Sequence, residues 1–87
     1  MARYDLRVRP SVARDLRGIP RADVHRILSR IEGLRDDPRP SGAEKLSAQE
    51  RYRVRQGNYR ILYTVSDAEL TVEVVKIGHR RDVYRET

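Results

Sequence analysis

Residues 52–63 read Tyr52-Arg-Val-Arg-Gln-Gly-Asn-Tyr-Arg-Ile-Leu-Tyr63, two short alternating runs on either side of Gln56-Gly57-Asn58. Glycine and asparagine accept positive φ, so the tripeptide can close a hairpin between two strands. Alternation with a period of two puts Tyr52 and Val54 on one face of the first strand and Arg53 and Arg55 on the other. In the second strand Arg60 points away from its neighbours Tyr59 and Ile61. The hairpin therefore offers one face with three guanidinium groups, suited to an anionic partner.

On the N-terminal side, residues 38–50 hold Pro38, Pro40 and Gly42 among mostly polar side chains and read as a surface loop that Leu46 anchors to the core. Before that loop, Val24, Ile27, Leu28, Ile31 and Leu34 recur at helical spacing and form one apolar stripe. Pro20 opens this longer helix, and the run Asp36-Asp37-Pro38-Arg39-Pro40 ends it. A shorter helix over Ser11–Arg17 brings Val12, Ala13, Leu16 and Ile19 to one side between Pro10 and Gly18. At the N-terminus Tyr4, Leu6 and Val8 alternate with charged neighbours, the pattern of a half-buried strand over 3–9.

On the C-terminal side, the second hairpin strand runs to about Val65, and Ser66–Glu69 form a turn. Residues 70–77 contain Val72, Val74, Val75 and Ile77, with apolar side chains on both faces near the end, the pattern of a central strand covered on both sides. Gly78 then releases the chain into a short polar tail that starts at His79. The elements follow the order β-α-α-β-β-β. The predicted fold is α+β, an αα hairpin on one face of a small, mainly antiparallel four-stranded sheet.

With 87 residues the chain forms a single domain over 1–87. Of its 19 basic residues only Lys45 and Lys76 are lysines, and the net charge of +6 is shared evenly by the two halves, with no basic tail. Arginine's planar fork binds phosphate in a bidentate manner and stacks on bases, which lysine cannot do. With no cysteine, disulfides and thiolate metal sites are excluded. No apolar run approaches the ~20 residues of a membrane span, and no signal-peptide core precedes the first strand, so a cytoplasmic protein without a membrane partner is expected.

The candidate site is the sheet face opposite the helices. Arg53 and Arg55, with Cα atoms ~6–7 Å apart, lie across the turn from Arg60, and the tail after Gly78 can bring His79, Arg80 and Tyr84 over the same concavity. Such a set can grip a phosphodiester and stack on bases. The residues alone equally allow a solvated face whose arginines pair with Glu69, Glu73 and other carboxylates. His25 has no acidic partner at i±4 and reads as ordinary surface. Neither histidine has carboxylates at metal-ligand spacing, so no metal and no cofactor are expected. The serines sit in no nucleophile motif, and there is no Gly-rich phosphate loop.

Three segments carry a family resemblance: Tyr52-Arg-Val-Arg, Gly57-Asn-Tyr-Arg-Ile-Leu-Tyr63 and Val75-Lys-Ile-Gly-His-Arg-Arg-Asp-Val-Tyr84. Together with the Ser-Val-Ala-Arg-Asp-Leu start of the first helix and the element order, they resemble the RelE branch of the RelE/ParE toxin superfamily over nearly the whole chain. The resemblance implies a toxin of a type II toxin–antitoxin system. It would be a metal-independent endoribonuclease that cuts mRNA in the ribosomal A site and is held inactive by a cognate RelB-like antitoxin. Its partners would be that antitoxin, the ribosome and mRNA. The family's positions fall on Arg53, Arg55, Arg60, Arg80 and Tyr84, with His79 as a secondary acid/base candidate. Arg53, Arg55, Arg60, Arg80 and Arg81 would contact RNA. Relatives often have lysine where this chain has Arg53 and Arg55, and arginine is a poor proton acceptor. Arg53 would then orient and stabilise, leaving proton abstraction to Tyr84. The alternatives are a ParE-like gyrase poison, a branch that does not keep this set, and a non-enzymatic module that binds nucleic acid or protein.

Overall fold

The computed structural model describes residues 3–46 and 50–79. Strand β1 (Asp5–Val8) is followed by helices α1 (Pro10–Arg17) and α2 (Arg21–Gly33), then strands β2 (Glu44–Lys45), β3 (Arg51–Gln56), β4 (Tyr59–Ser66) and β5 (Thr71–His79). The sheet has five strands in the order β1-β5-β4-β3-β2. The expected four-stranded sheet thus needs two corrections. Residues 44–45, read as loop, pair antiparallel with Tyr52 and Arg53 as a short edge strand. β1 also runs parallel to β5, with Asp5 opposite Thr71 and Val8 opposite Val74, so the sheet is mixed. The parallel pair closes through both helices and three strands, and no local pattern encodes such a pairing.

β4 is the middle strand, flanked by β3 and β5 and buried through Arg60–Tyr63, and β5 is also interior, between β1 and β4, as its apolar pattern predicted. β5 carries a bulge: Leu62 pairs with Lys76 but Tyr63 with Val74, leaving Val75 as the extra residue. The bulge explains the apolar residues seen on both faces of this strand. Val72, Val74 and Ile77 enter the helix-side core, whereas Val75 packs with Leu62 on the open face under Leu46. Leu46 is therefore an anchor, but to this small second cluster.

The main core joins Val12 of α1, Ile27 and Ile31 of α2 and Leu34 just beyond its end to Tyr52, Val54, Ile61, Tyr63 and Val65 of the hairpin. The stripe on α2 is narrower than its spacing suggests, because Leu28 at its margin is 46% exposed. In the β3–β4 hairpin Gln56 pairs with Tyr59, so the loop has two residues and the positive φ falls on Gly57 alone at 61°. A positive φ at the first central position is the type II′ pattern, which favours glycine there. Among the described residues no helix is long and apolar enough to cross a membrane.

Candidate phosphate-binding site on the open sheet face

Register places the predicted arginines as alternation implied. Arg53 lies opposite Leu62, and Arg55 opposite Arg60, so all three project from the face away from the helices. Their environments differ. Arg55 is exposed, and its Nε makes one long bond to Gly57 O at 3.4 Å. Arg60, in the middle strand, is only 9% exposed, and its Nη1 donates to the Tyr59 carbonyl oxygen at 3.3 Å. Among the described residues neither has a carboxylate partner. Two like charges directly opposite on neighbouring strands repel, and a buried cation without a counter-charge is costly. An anion between them would relieve both terms.

Arg53 is engaged instead. Its Nη2 donates to Glu44 Oε2 at 2.9 Å, and its side chain is 13% exposed. Glu44 is the residue that sequence reasoning missed, since it lay in an apparent loop. The usable signal was a Glu-Lys pair facing the alternating run 51–56 across one short connection. The carboxylates suspected of quenching the face do not do so: Glu73 pairs with Arg9 at 3.7 Å, and Glu69 has no ion pair among the described residues.

His79 lies elsewhere than expected. β5 does not end at Gly78; it continues, with Gly78 opposite Arg60 and His79 opposite Tyr59. Tyr59 packs toward the helix-side core, and the His79 ring meets it edge-on at 5.9 Å between centroids. The imidazole is thus on the far side of the sheet from the Arg60 guanidinium, which is a correction to its reading as part of a tail over the arginines. Arg80, Arg81 and Tyr84 lie outside the described residues. His25 is exposed on α2, as expected.

The strongest electrostatic coupling lies at the other end of the sheet. Arg39 donates to Asp67 Oδ2 at 2.9 Å, to Glu50 Oε2 at 3.0 Å and to the Tyr52 hydroxyl at 2.8 Å, and its guanidinium stands 5.3 Å from the Tyr52 ring centroid. Tyr52 donates to Glu50, and with Arg39 and Lys45 it lowers that carboxyl to about 2. Hydrogen bonds from Arg39 and then Tyr4 hold Asp67 below the usual carboxylate range. The same contacts raise Arg39, and the bond to Asp67 raises Tyr4. These charges and hydroxyls satisfy one another, so the cluster ties Arg39 and its segment to the sheet and reads as structural. The candidate site has the opposite character: among the described residues Arg55 and Arg60 have no carboxylate partner.

Comparison with known proteins gives a consistent family. A family model described as "ParE toxin of type II toxin-antitoxin system, parDE" matches residues 6–84. Toxin RelG of Mycobacterium tuberculosis is 27% identical over 84 residues, covering 94% of this chain and 97% of its own. In fold, the chain resembles the RelBE2 toxin–antitoxin complex of M. tuberculosis, with a TM-score of 0.78 and 24% identity over 91% of this chain and 100% of that one. It also resembles the RelE-RelB complex of Pyrococcus horikoshii, with a TM-score of 0.77 and 24% identity over 88% of this chain and 94% of that one. With a family model that spans nearly its whole length, the chain belongs to the RelE/ParE superfamily of toxins from type II toxin–antitoxin systems.

Proposed function

We propose that this toxin is a ribosome-dependent, metal-independent endoribonuclease of the RelE type, which cleaves mRNA in the ribosomal A site and so stops translation. The observation that carries the reading is Arg60, a buried arginine opposite Arg55 with no carboxylate partner among the described residues. Cleavage proceeds by attack of the 2′-oxygen on the adjacent phosphorus, giving a 2′,3′-cyclic phosphate and a free 5′-OH. Its needs are deprotonation of the 2′-OH, stabilisation of the phosphorane and protonation of the leaving oxygen. Arg55 and Arg60 serve the second need, because their charge is permanent and Arg60 is held in place by its burial in the middle strand. Arg53, oriented by Glu44, contacts the RNA backbone. Arg80 stands near the leaving oxygen, Tyr84 near the nucleophile, and Arg81 adds a phosphate contact. His79, across the sheet, takes no direct part in proton transfer.

With no strong base among these groups, orientation of the 2′-OH by the ribosome supplies much of the rate, and free RNA is a poor substrate. The antitoxin is RelB-like, a reading supported by the RelB-bound structures that share the fold. It inhibits by covering the basic face with acidic, amphipathic structure.

A ParE-type gyrase poison is the second reading, favoured by the description of the matching family model. Induced expression followed by primer extension on a reporter mRNA separates the two. Ribonuclease action gives discrete in-frame stops that vanish in Arg60→Ala. Intact mRNA with double-strand breaks and an SOS response would replace this proposal with the second reading.

A further inference from the structure

β1 leaves the sheet at Val8, opposite Val74, so among the described residues no strand neighbours the outer edge of β5 from Val75 onward. Helix α1 approaches it, and Asp15 Oδ2 there accepts the Ile77 N–H at 3.1 Å, while Lys76 Nζ lies 3.9 Å from Asp15 Oδ1. Beyond that contact the edge opens into a cavity of about 350 Å³, lined by Gly18 and Ile19 at the end of α1, by Tyr59, and by Gly78 and His79. Its chemistry is specific. Tyr59 and His79 make an aromatic corner, at an interplanar angle of 83°, and Ile19 adds an apolar wall. Asp15 and Lys76 place an acceptor and a donor at the rim. A flat, heteroaromatic group with hydrogen-bonding edges satisfies every part of this lining: one ring face to stack on, and edges that need both a donor and an acceptor.

The cavity is not isolated from the arginines. Gly78 lines it and is also the cross-strand partner of Arg60. Consecutive Cα atoms are only ~3.8 Å apart, so Tyr59 and Arg60 present the two faces of the sheet at one strand end. The glycine sets no side chain between them along the unpaired edge. A nucleotide whose phosphate rests on Arg55 and Arg60 can therefore pass its base, or that of its neighbour, round this edge.

We propose that the cavity at the free edge of β5 is a nucleobase pocket, in which an unpaired base of the bound RNA stacks against Tyr59 and His79 while Asp15 and Lys76 meet its polar edge. The proposal rests on the ribonuclease reading for the identity of the strand, but its site is separate from the phosphate-binding face. His79 thereby has a role that its position across the sheet permits.

The test titrates the full chain by NMR with adenosine, guanosine, cytidine and uridine one at a time, and separately with inorganic phosphate. Free nucleosides carry no phosphate and so report the pocket alone. At least one should give saturable shifts of the His79 and Tyr59 ring signals, and His79→Leu and Tyr59→Leu should each weaken that binding roughly tenfold, the effect of losing one stacking partner. Phosphate should perturb the Arg60 side-chain signals in the wild type and in both variants, which also shows that the variants are folded. No saturable shift with any nucleoside, or unchanged affinity in both variants, overturns the pocket. Nucleoside binding without a phosphate response at Arg60 would keep the pocket and remove the support for the ribonuclease reading.

Discussion

Arg60 joins a cost in stability to its proposed role in phosphate binding. The residue is nine-tenths buried, lies opposite another arginine and has no carboxylate partner among the described residues. Arg60→Leu, which fits the neighbouring Leu62 environment, should stabilise the protein by roughly 0.5–1 kcal/mol by removing the like-charge pair, seen as a Tm increase of a few degrees. The same substitution should lower cleavage on programmed ribosomes by about 10²–10³-fold, the usual loss when one preorganised donor to a developing charge is removed. Phosphate should raise the Tm of the wild type and leave Arg60→Leu unmoved. If the variant is both less stable and fully active, the arginine is structural and the site assignment falls. Glu44 acts in the opposite sense. Glu44→Gln frees Arg53 from its ion pair, so RNA affinity should rise a few-fold at low salt and converge with the wild type at high salt.

At the scale of elements, two contacts hold the frame on which these side chains stand. The Tyr63 hydroxyl donates to the Pro38 carbonyl oxygen at 2.7 Å from a wholly buried ring, whose desolvation raises its pKa to about 12. This bond pins the end of the αα hairpin to the middle strand. Tyr63→Phe leaves a buried carbonyl unsatisfied and should cost about 1–3 kcal/mol in denaturant melts. A neutral result would mean that water replaces the hydroxyl. Asp15 is the second device. It covers the unpaired half of β5, where an open edge invites pairing with another chain. Asp15→Ala should speed hydrogen exchange at the Ile77 amide far more than at Val72, which lies beside β1. Equal protection at both amides would show that α1 shields the edge without the carboxylate.

Among the described residues the sheet is polarised, with Arg55 and Arg60 lacking a carboxylate at one end and an ion network at the other. The network makes an acid-stability prediction with a definite sign. The Glu50 carboxyl is lowered from 4.5 to about 2, and Asp67 is lowered as well. Groups depressed on folding contribute stability that is complete above their unfolded pKa values and is lost as pH falls through the folded ones. Stability should therefore fall between about pH 4.5 and pH 2, and Glu50→Gln should flatten that slope while leaving neutral-pH activity intact. A slope unchanged in Glu50→Gln would place the acid sensitivity in other carboxylates. The hairpin, both helices and the shared face of Arg53, Arg55 and Arg60 were legible in the sequence because each depends on neighbours within about one turn or one pleat. Glu44 was not, since a two-residue edge strand carries no period of its own.

By itself the sequence determined which side chains share a face: alternation placed the three arginines together, and helical spacing put Val24, Ile27, Leu28, Ile31 and Leu34 in one stripe, of which Leu28 lies exposed at the margin. Its motifs also pointed to the family that later comparison supported. Only the tertiary structure decided what each face meets. The parallel partnership of β1 and β5 and the central place of β4 come from pairing residues some sixty positions apart, as Asp5 with Thr71. That order of strands buries Arg60, leaves Arg55 exposed, sends His79 to the helix side and opens the edge beside Gly78. Periodicity is a property of one strand, whereas burial and partnership belong to the whole sheet.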